Sequence, residues 1–324
     1  MSAAPEATAE AEPSGDERRG AIQGLFAYAC WGLFPLYFHA LQPATPWEIL
    51  AHRIVWSLAF CTIVLLVMRD GAWVRPLLHR GRFLAGITVA AVFLAVNWFV
   101  YVAAVAAGNV TEAALGYFLN PIVTVALGVV VLRERLRPLQ WVAVAVGLGA
   151  GIYLSVGTGR VPWVALALAI TFALYGLSKK RLGASMRALP GFTVESAVLV
   201  PVAVGVLVWV GVTGQQTFTT DRPWHPVLLA LSGVVTAIPL LLFAAAARRV
   251  PLVTIGLLQF VTPVLQLLCG VLLLGETMSS QRWVGFGIVW IALAILSVDS
   301  ILSARRRARE APVESDDTVC EPAP

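Results

Sequence analysis

The stretch PWEILAHRIVWS, residues 46–57, holds the most concentrated chemistry in the sequence. Glu48 and His52 stand four residues apart and therefore share one face of a helix. A carboxylate and an imidazole on one face can take up a proton or hold a polar substrate, since an unperturbed imidazole titrates near neutral pH. Arg53 adds a fixed positive charge. A structural reading competes: Glu48 sits wet at a membrane surface and Arg53 reaches outward along its aliphatic stem. Glu112 follows Asn109 at a helix start, where an acid complements the helix dipole and where pairing with Arg53 is within reach. Asn97, Tyr101, Tyr117, Asn120, Gln259 and Gln266 are uncharged polar groups in apolar runs, equally suited to a cavity wall or to hydrogen bonds between helices. With Trp98, they suggest a substrate or coupling-ion cavity that mixes aromatic rings with a few charges.

Other chemistries find no support. There is no HExxH, no acidic pair at metal spacing and no Ser/His set, so no catalytic residue is expected. Cys30, Cys61, Cys269 and Cys320 have no metal-ligand spacing and form no paired framework. No phosphate-binding loop GxxxxGK[ST] appears, so the chain is not expected to hydrolyse ATP. Neither a cofactor nor a metal is expected.

The elements that position these residues are apolar helices. Of 324 residues, 59% are hydrophobic and 13% charged, against about 25% charged in a soluble domain. A bilayer removes the need to cover such a surface with polar groups. The polar stretches 1–20 and 304–324 read as disordered tails, and the first has no apolar core to act as a cleaved signal peptide. Between them, runs of ~20 apolar residues place helices at 21–41, 46–68, 83–106, 110–132, 138–157, 161–178, 191–213, 226–247, 250–274 and 281–302. A transmembrane barrel would alternate in ~10-residue segments, which this chain does not.

Loop charges give the orientation. With ten helices, nineteen Lys and Arg residues fall on the side of the termini and three (Arg160, Arg222, Arg282) on the other, leaving Arg53 inside a span. The positive-inside rule then puts both termini in the cytoplasm. The same placement explains the net charge of +5 without nucleic acid as a partner.

Sliding the chain by 142 residues lays 114–156 on 256–298 with thirteen identities, among them Pro121 on Pro263, Gly128 on Gly270, Glu134 on Glu276 and Trp141 on Trp283. Residues 21–157 and 161–302 are therefore two copies of a five-helix unit. Five is odd, so the copies cross the membrane in opposite senses. Inverted repeats are the structural logic of many alternating-access transporters, whose sites lie near the midplane between the repeats. Pro121 and Pro263 predict kinks at equivalent depths, with further kinks at Pro35, Pro201 and Pro239. Glu134 and Glu276, at helix C-termini, need compensating partners.

These segments resemble the drug/metabolite transporter superfamily with EamA domains, and most closely its RarD subfamily. EILAHRIVWS (48–57) and EAALGYFLNP (112–121) carry the resemblance best, with WGLFPLYF (31–38), NWFVYVAAV (97–105) and GLLQFVTPVLQ (256–266). The resemblance implies an all-α polytopic protein of the cytoplasmic membrane, with ten helices in two inverted EamA repeats. It also implies import or export of small metabolites, and the subfamily carries a chloramphenicol-sensitivity label. Glu48, His52, Arg53, Asn97, Glu112, Tyr117, Asn120 and Gln259 are the residues it most plausibly carries over. The expected partners are a small-molecule substrate, membrane lipids and coupling protons, and the expected assembly a monomer or homodimer. A membrane enzyme and a non-transporting scaffold or sensor are the alternatives.

Overall fold

The computed structural model describes residues 15–310 except 75–76, 78–79, 134–135, 183–186, 220–222 and 251. No strand occurs among the described residues. The helices are α1 (Gly15–Gly32), α2 (Phe34–Ala40), α3 (Pro46–Val67), α4 (Gly81–Ala106), α5 (Val110–Leu132), α6 (Pro138–Thr158), α7 (Trp163–Leu182), α8 (Ala188–Val212), α9 (Trp224–Ala246), α10 (Leu252–Leu258), α11 (Val261–Leu268), a π-helical turn (Cys269–Leu273) and α12 (Ser280–Glu310). Counting α1–α2 as one span and α10, α11 and the π turn as another, ten spans are long and apolar enough to cross a membrane. Helices dominate because hydrocarbon offers no water to a free backbone amide.

Helical order reaches further at both ends than the polar composition suggests. α1 starts at Gly15 and α12 ends at Glu310, so residues 15–20 and 304–310 are helical. Asp16 and Glu17 complement the dipole in the first turn of α1, and Asp16 pairs with Arg249. Residues 304–310, ARRRARE, are good helix formers. The tails at 1–14 and 311–324 lie outside the described residues, as does Glu134.

Packing follows the repeat. The equivalent spans α3 and α8 pack on one another, as do α5 and α11, and α6 and α12. The pairs α1·α9 and α4·α7 are each other's images under the repeat. Each span keeps more than half of its most apolar window outside the core, the mark of helices solvated by lipid. Trp47, Trp141, Trp163, Trp224 and Trp283 are exposed and lie near helix N-termini, where an indole suits the membrane interface.

The two repeats diverge at their prolines. Pro121, Pro201 and Pro239 lie inside continuous helices. Pro263 instead follows a two-residue break at Gln259–Phe260, and Pro35 follows a break at Leu33. A proline nitrogen has no proton for the carbonyl four residues back, which frees Trp31 and Gln259. The two broken spans are then sewn together. Thr262 Oγ1 donates to the Tyr28 carbonyl at 2.8 Å, Gln266 Nε2 to the Trp31 carbonyl at 3.2 Å, and Cys269 Sγ weakly to the Gly32 carbonyl at 3.8 Å. Pro121 loses the same backbone bond without a break. Its helix packs instead on the continuous α7, with Gly116 against the Ala165 backbone.

Among the described glycines, Gly233 of α9 makes the closest approach to another helix. A Cβ there would lie 2.2 Å from the Trp56 carbonyl carbon of α3. Gly233→Ala should therefore force α9 off α3 and lower the thermal midpoint of the detergent-purified protein by several degrees, consistent with an overpacking cost of ~1–3 kcal/mol. Gly149→Ala, where a Cβ meets nothing within 4 Å, should leave it unchanged or raise it. Thermal unfolding of the two variants side by side checks this.

Candidate functional site

The first turns of α3 set the site. Thr45 caps the helix by accepting from the Glu48 N–H at 3.2 Å, and Pro46 supplies a first-turn residue that needs no donor. The helix then splits the chemistry of PWEILAHRIVWS between two directions.

Glu48 and His52 turn to the α8–α9 connection. One Glu48 oxygen accepts from the N–H groups of Thr217 at 2.7 Å and Phe218 at 3.2 Å. The other accepts from the Thr217 hydroxyl at 2.9 Å. That hydroxyl also meets His225 Nε2 at 2.7 Å. The Phe218 ring stacks on His52, centroids 4.8 Å apart, and the Trp56 indole donates to His52 Nδ1 at 3.3 Å. Together they form a clasp that straps the connection over the end of α3, on the membrane face opposite the termini.

Arg53 turns inward and is 3% exposed. Its Nε donates to Thr236 Oγ1 of α9 at 2.9 Å, and that hydroxyl donates onward to the Ser232 carbonyl. The guanidinium lies 4.0 Å from the centroid of Trp98 on α4. Phe38 and Phe34 of α2 stand at 5.3 and 5.5 Å. Nη1 has no hydrogen-bond partner, nor has the buried hydroxyl of Tyr101. Tyr101 packs edge-on between Phe38 and Tyr117, at 5.9 and 5.6 Å. Asn97 braces this wall. Its Nδ2 donates to the Leu168 carbonyl and Thr171 Oγ1, both at 3.0 Å, and its Oδ1 accepts from the Tyr117 hydroxyl at 3.2 Å.

Of the sequence-proposed residues, Arg53, Asn97, Tyr101 and Tyr117 thus converge. Glu48 and His52 lie next to this cluster but in the clasp. Glu112 does not meet Arg53: it accepts the Val164 N–H at 3.1 Å and so caps α7, in a small cavity that Arg160 and Arg282 also line. Asn120 accepts from Thr124 one turn on. Gln259 is half-buried in the break of the ninth span. Glu276, at the end of its own span, finds its compensation in the N–H groups of Val110 and Thr111 at the start of α5. Thr236, Phe34, Phe38 and Tyr37 escaped sequence reasoning; only their place in polar or aromatic-rich runs could have signalled them.

A second charged cluster occupies the mirrored position. Glu195 of α8 is 142 residues from Arg53 and 1% exposed. It pairs with Lys179 of α7 at 2.5 Å and accepts from the Tyr175 hydroxyl at 3.3 Å. Tyr117, Phe172 and Tyr175 form a run of ring contacts at 6.2 and 5.9 Å between the two clusters. No group of three or more His, Cys, Asp or Glu among the described residues could hold a metal.

Ten apolar spans in two inverted five-helix halves, with buried charges at equivalent depths, define a membrane protein of the transporter type. The model of the EamA-like transporter family matches residues 18–157 and 161–298. The chain is 48% identical over 295 residues to a RarD protein of Streptomyces exfoliatus, covering 91% of this chain and 93% of that one. It is 35% identical to a RarD protein of Escherichia coli over 90% of this chain and 98% of the other. It is 32% identical to a chloramphenicol-sensitive RarD protein of Pseudomonas aeruginosa, covering 90% and 97%. A crystal structure at 17% identity superposes with a TM-score of 0.55, over 86% of this chain and 97% of that one, a likeness of fold. The chain belongs to the EamA-like transporter family, and within it to the RarD subfamily.

Removing the Glu48 acceptor leaves the Thr217 and Phe218 N–H groups unpaired, at ~1–3 kcal/mol for each that stays buried, while the Thr217 hydroxyl keeps His225. Glu48→Ala should therefore speed amide hydrogen exchange at Thr217 and Phe218 by about tenfold or more, while Leu168 and Asn97 keep their protection. Exchange followed by mass spectrometry reads both sites.

Proposed function

We propose that the chain is a secondary transporter of small metabolites or drug-like solutes, working by alternating access in the bacterial cytoplasmic membrane without hydrolysing ATP. One observation carries the reading. The buried Arg53 cluster lies where α2, α3 and α4 of the first repeat meet Thr236 of the second. A site between inverted repeats is exposed to one side, then the other, as the halves exchange conformations. Discontinuous helices beside it, α1–α2 and α10–α11, are the usual companions of such sites. Family membership supports the same class. The nineteen-to-three distribution of loop charges supports cytoplasmic termini. The repeat supplies the needed symmetry within one chain, so a monomer suffices, and a homodimer would add no element to the site.

Protons are the proposed coupling ion. Glu195, a buried carboxylate at the mirrored position with a half-exposed Lys179 partner, is better placed for this than Glu48, whose oxygens are already spent on the clasp.

Untargeted metabolite comparison between cells lacking and overproducing the chain should show a small set of solutes shifted several-fold between cell and medium. Chloramphenicol, for which the Pseudomonas relative is named, belongs in the same comparison. Arg53→Gln should abolish the shift at equal protein level; an unchanged profile in the wild type overturns the transporter reading. Purified protein in vesicles then tests coupling: a flux indifferent to an imposed proton gradient would sink the role given to protons.

A further inference from the structure

Arginine is almost never fully buried unless an acid or a ligand pairs with it. Arg53 is buried two turns inside α3, and its recorded partners, Thr236, Trp98, Phe38 and Phe34, include no acid. What holds it is neutral. Thr236 fixes the Nε edge, and Trp98 fixes the plane from one face. This orients the guanidinium and leaves Nη1 unpartnered. The Tyr101 hydroxyl is also buried and unpartnered, and its ring packs edge-on against Phe38, whose ring the guanidinium also faces. A buried guanidinium N–H without a partner, with a second unmet buried donor on the same aromatic wall, is the chemistry that recognises the oxygens of an anion.

We infer that the Arg53 cluster is a receptor for a single organic carboxylate on an apolar or aromatic body. The charge limits the ligand to a monoanion, because no second basic side chain contacts Arg53 to balance a dianion such as phosphate. The walls give it a body: Phe34, Phe38 and Trp98 can pack against rings or alkyl groups but offer only one N–H donor among them. A neutral amide of the same shape offers one carbonyl acceptor but neither the charge nor the second oxygen, so it gains much less. That this carboxylate is the transported substrate rests on the transport reading; its binding does not.

The test uses the full chain purified in detergent, with benzoate as probe, benzamide as its uncharged isostere, and inorganic phosphate as the dianionic arm. Calorimetric titration and thermal shift should show millimolar benzoate binding and raising the unfolding midpoint, with benzamide and phosphate doing neither. Arg53→Gln should lose the benzoate response, and Arg53→Lys, a point charge without the fork, should weaken it about tenfold. Tyr101→Phe should weaken it several-fold while leaving the unliganded midpoint unchanged; it decides the matter if Arg53→Gln fails to fold. Equal responses to benzoate and benzamide, no response to benzoate, or a benzoate response that survives Arg53→Gln or is untouched by Tyr101→Phe overturns the proposal. Benzoate binding without any solute shift in cells keeps this site and defeats the transport reading. A shift of neutral solutes without benzoate binding does the reverse.

Discussion

A hydrocarbon core gives a backbone carbonyl nothing to bond with, and the site in this protein depends on how that demand is met at one place. Leu33 interrupts the first span, and Pro35 deprives Trp31 of its helical partner. Thr262, Gln266 and Cys269, spaced four and three apart on one face of the ninth span, supply the missing donors. Bonds of this kind are worth ~0.6–2 kcal/mol each in membranes, so the set is of the size needed to hold a broken helix. The break in turn frees α2 from the line of α1. Its short helix then presents Phe34 and Phe38 to the guanidinium. Without the stitching on the ninth span, the second and third rings around Arg53 would have no fixed place.

The energetics of Arg53 itself argue that stability is not its purpose. A charge deep in a span costs ~2.5–3.5 kcal/mol on insertion scales. A desolvated cation–π contact such as the one with Trp98 returns ~2 kcal/mol or more, and the Thr236 bond adds a fraction. The terms roughly cancel. A leucine would pack among Phe34, Phe38 and Trp98 with no such cost to offset. The arginine is tolerated by its surroundings rather than stabilising them, the balance that the proposed ligand-binding role requires.

The spans, the two repeats and the excess of charge on one face are legible in the sequence because each is an aggregate property of many residues. Individual site residues are legible only when type alone singles them out. Arg53 does so as the lone basic residue in a span, and Trp98, Tyr101 and Tyr117 do so as aromatics in polar company. Glu48 and His52 do not. Their helical spacing is real, but which wall that face builds depends on Thr217 and Phe218, 169 and 170 residues away in a connection with no periodic pattern. Glu112 misleads for a similar reason: its position at a helix start is plain, while its partner, the Val164 N–H, is a backbone group that no side-chain pattern reveals. The offset that pairs Pro121 with Pro263 also pairs Arg53 with Glu195, so the second charged cluster lay within reach of the repeat itself.

That pairing shows how far the symmetry goes. Arg53 and Glu195 hold equivalent positions on α3 and α8, yet one is unpaired and the other closed by Lys179 and Tyr175. The helices that flank them differ too. Gly233 lets α9 rest on the α3 backbone itself, while its equivalent under the offset, Ala91 of α4, carries a methyl group in an apolar cluster with Leu199 and Ala203 of α8. A methyl group present in one interface and absent in its image cannot be exchanged by swapping conformations. If the halves exchange conformations as proposed, the two end states are therefore similar in shape but unequal in energy.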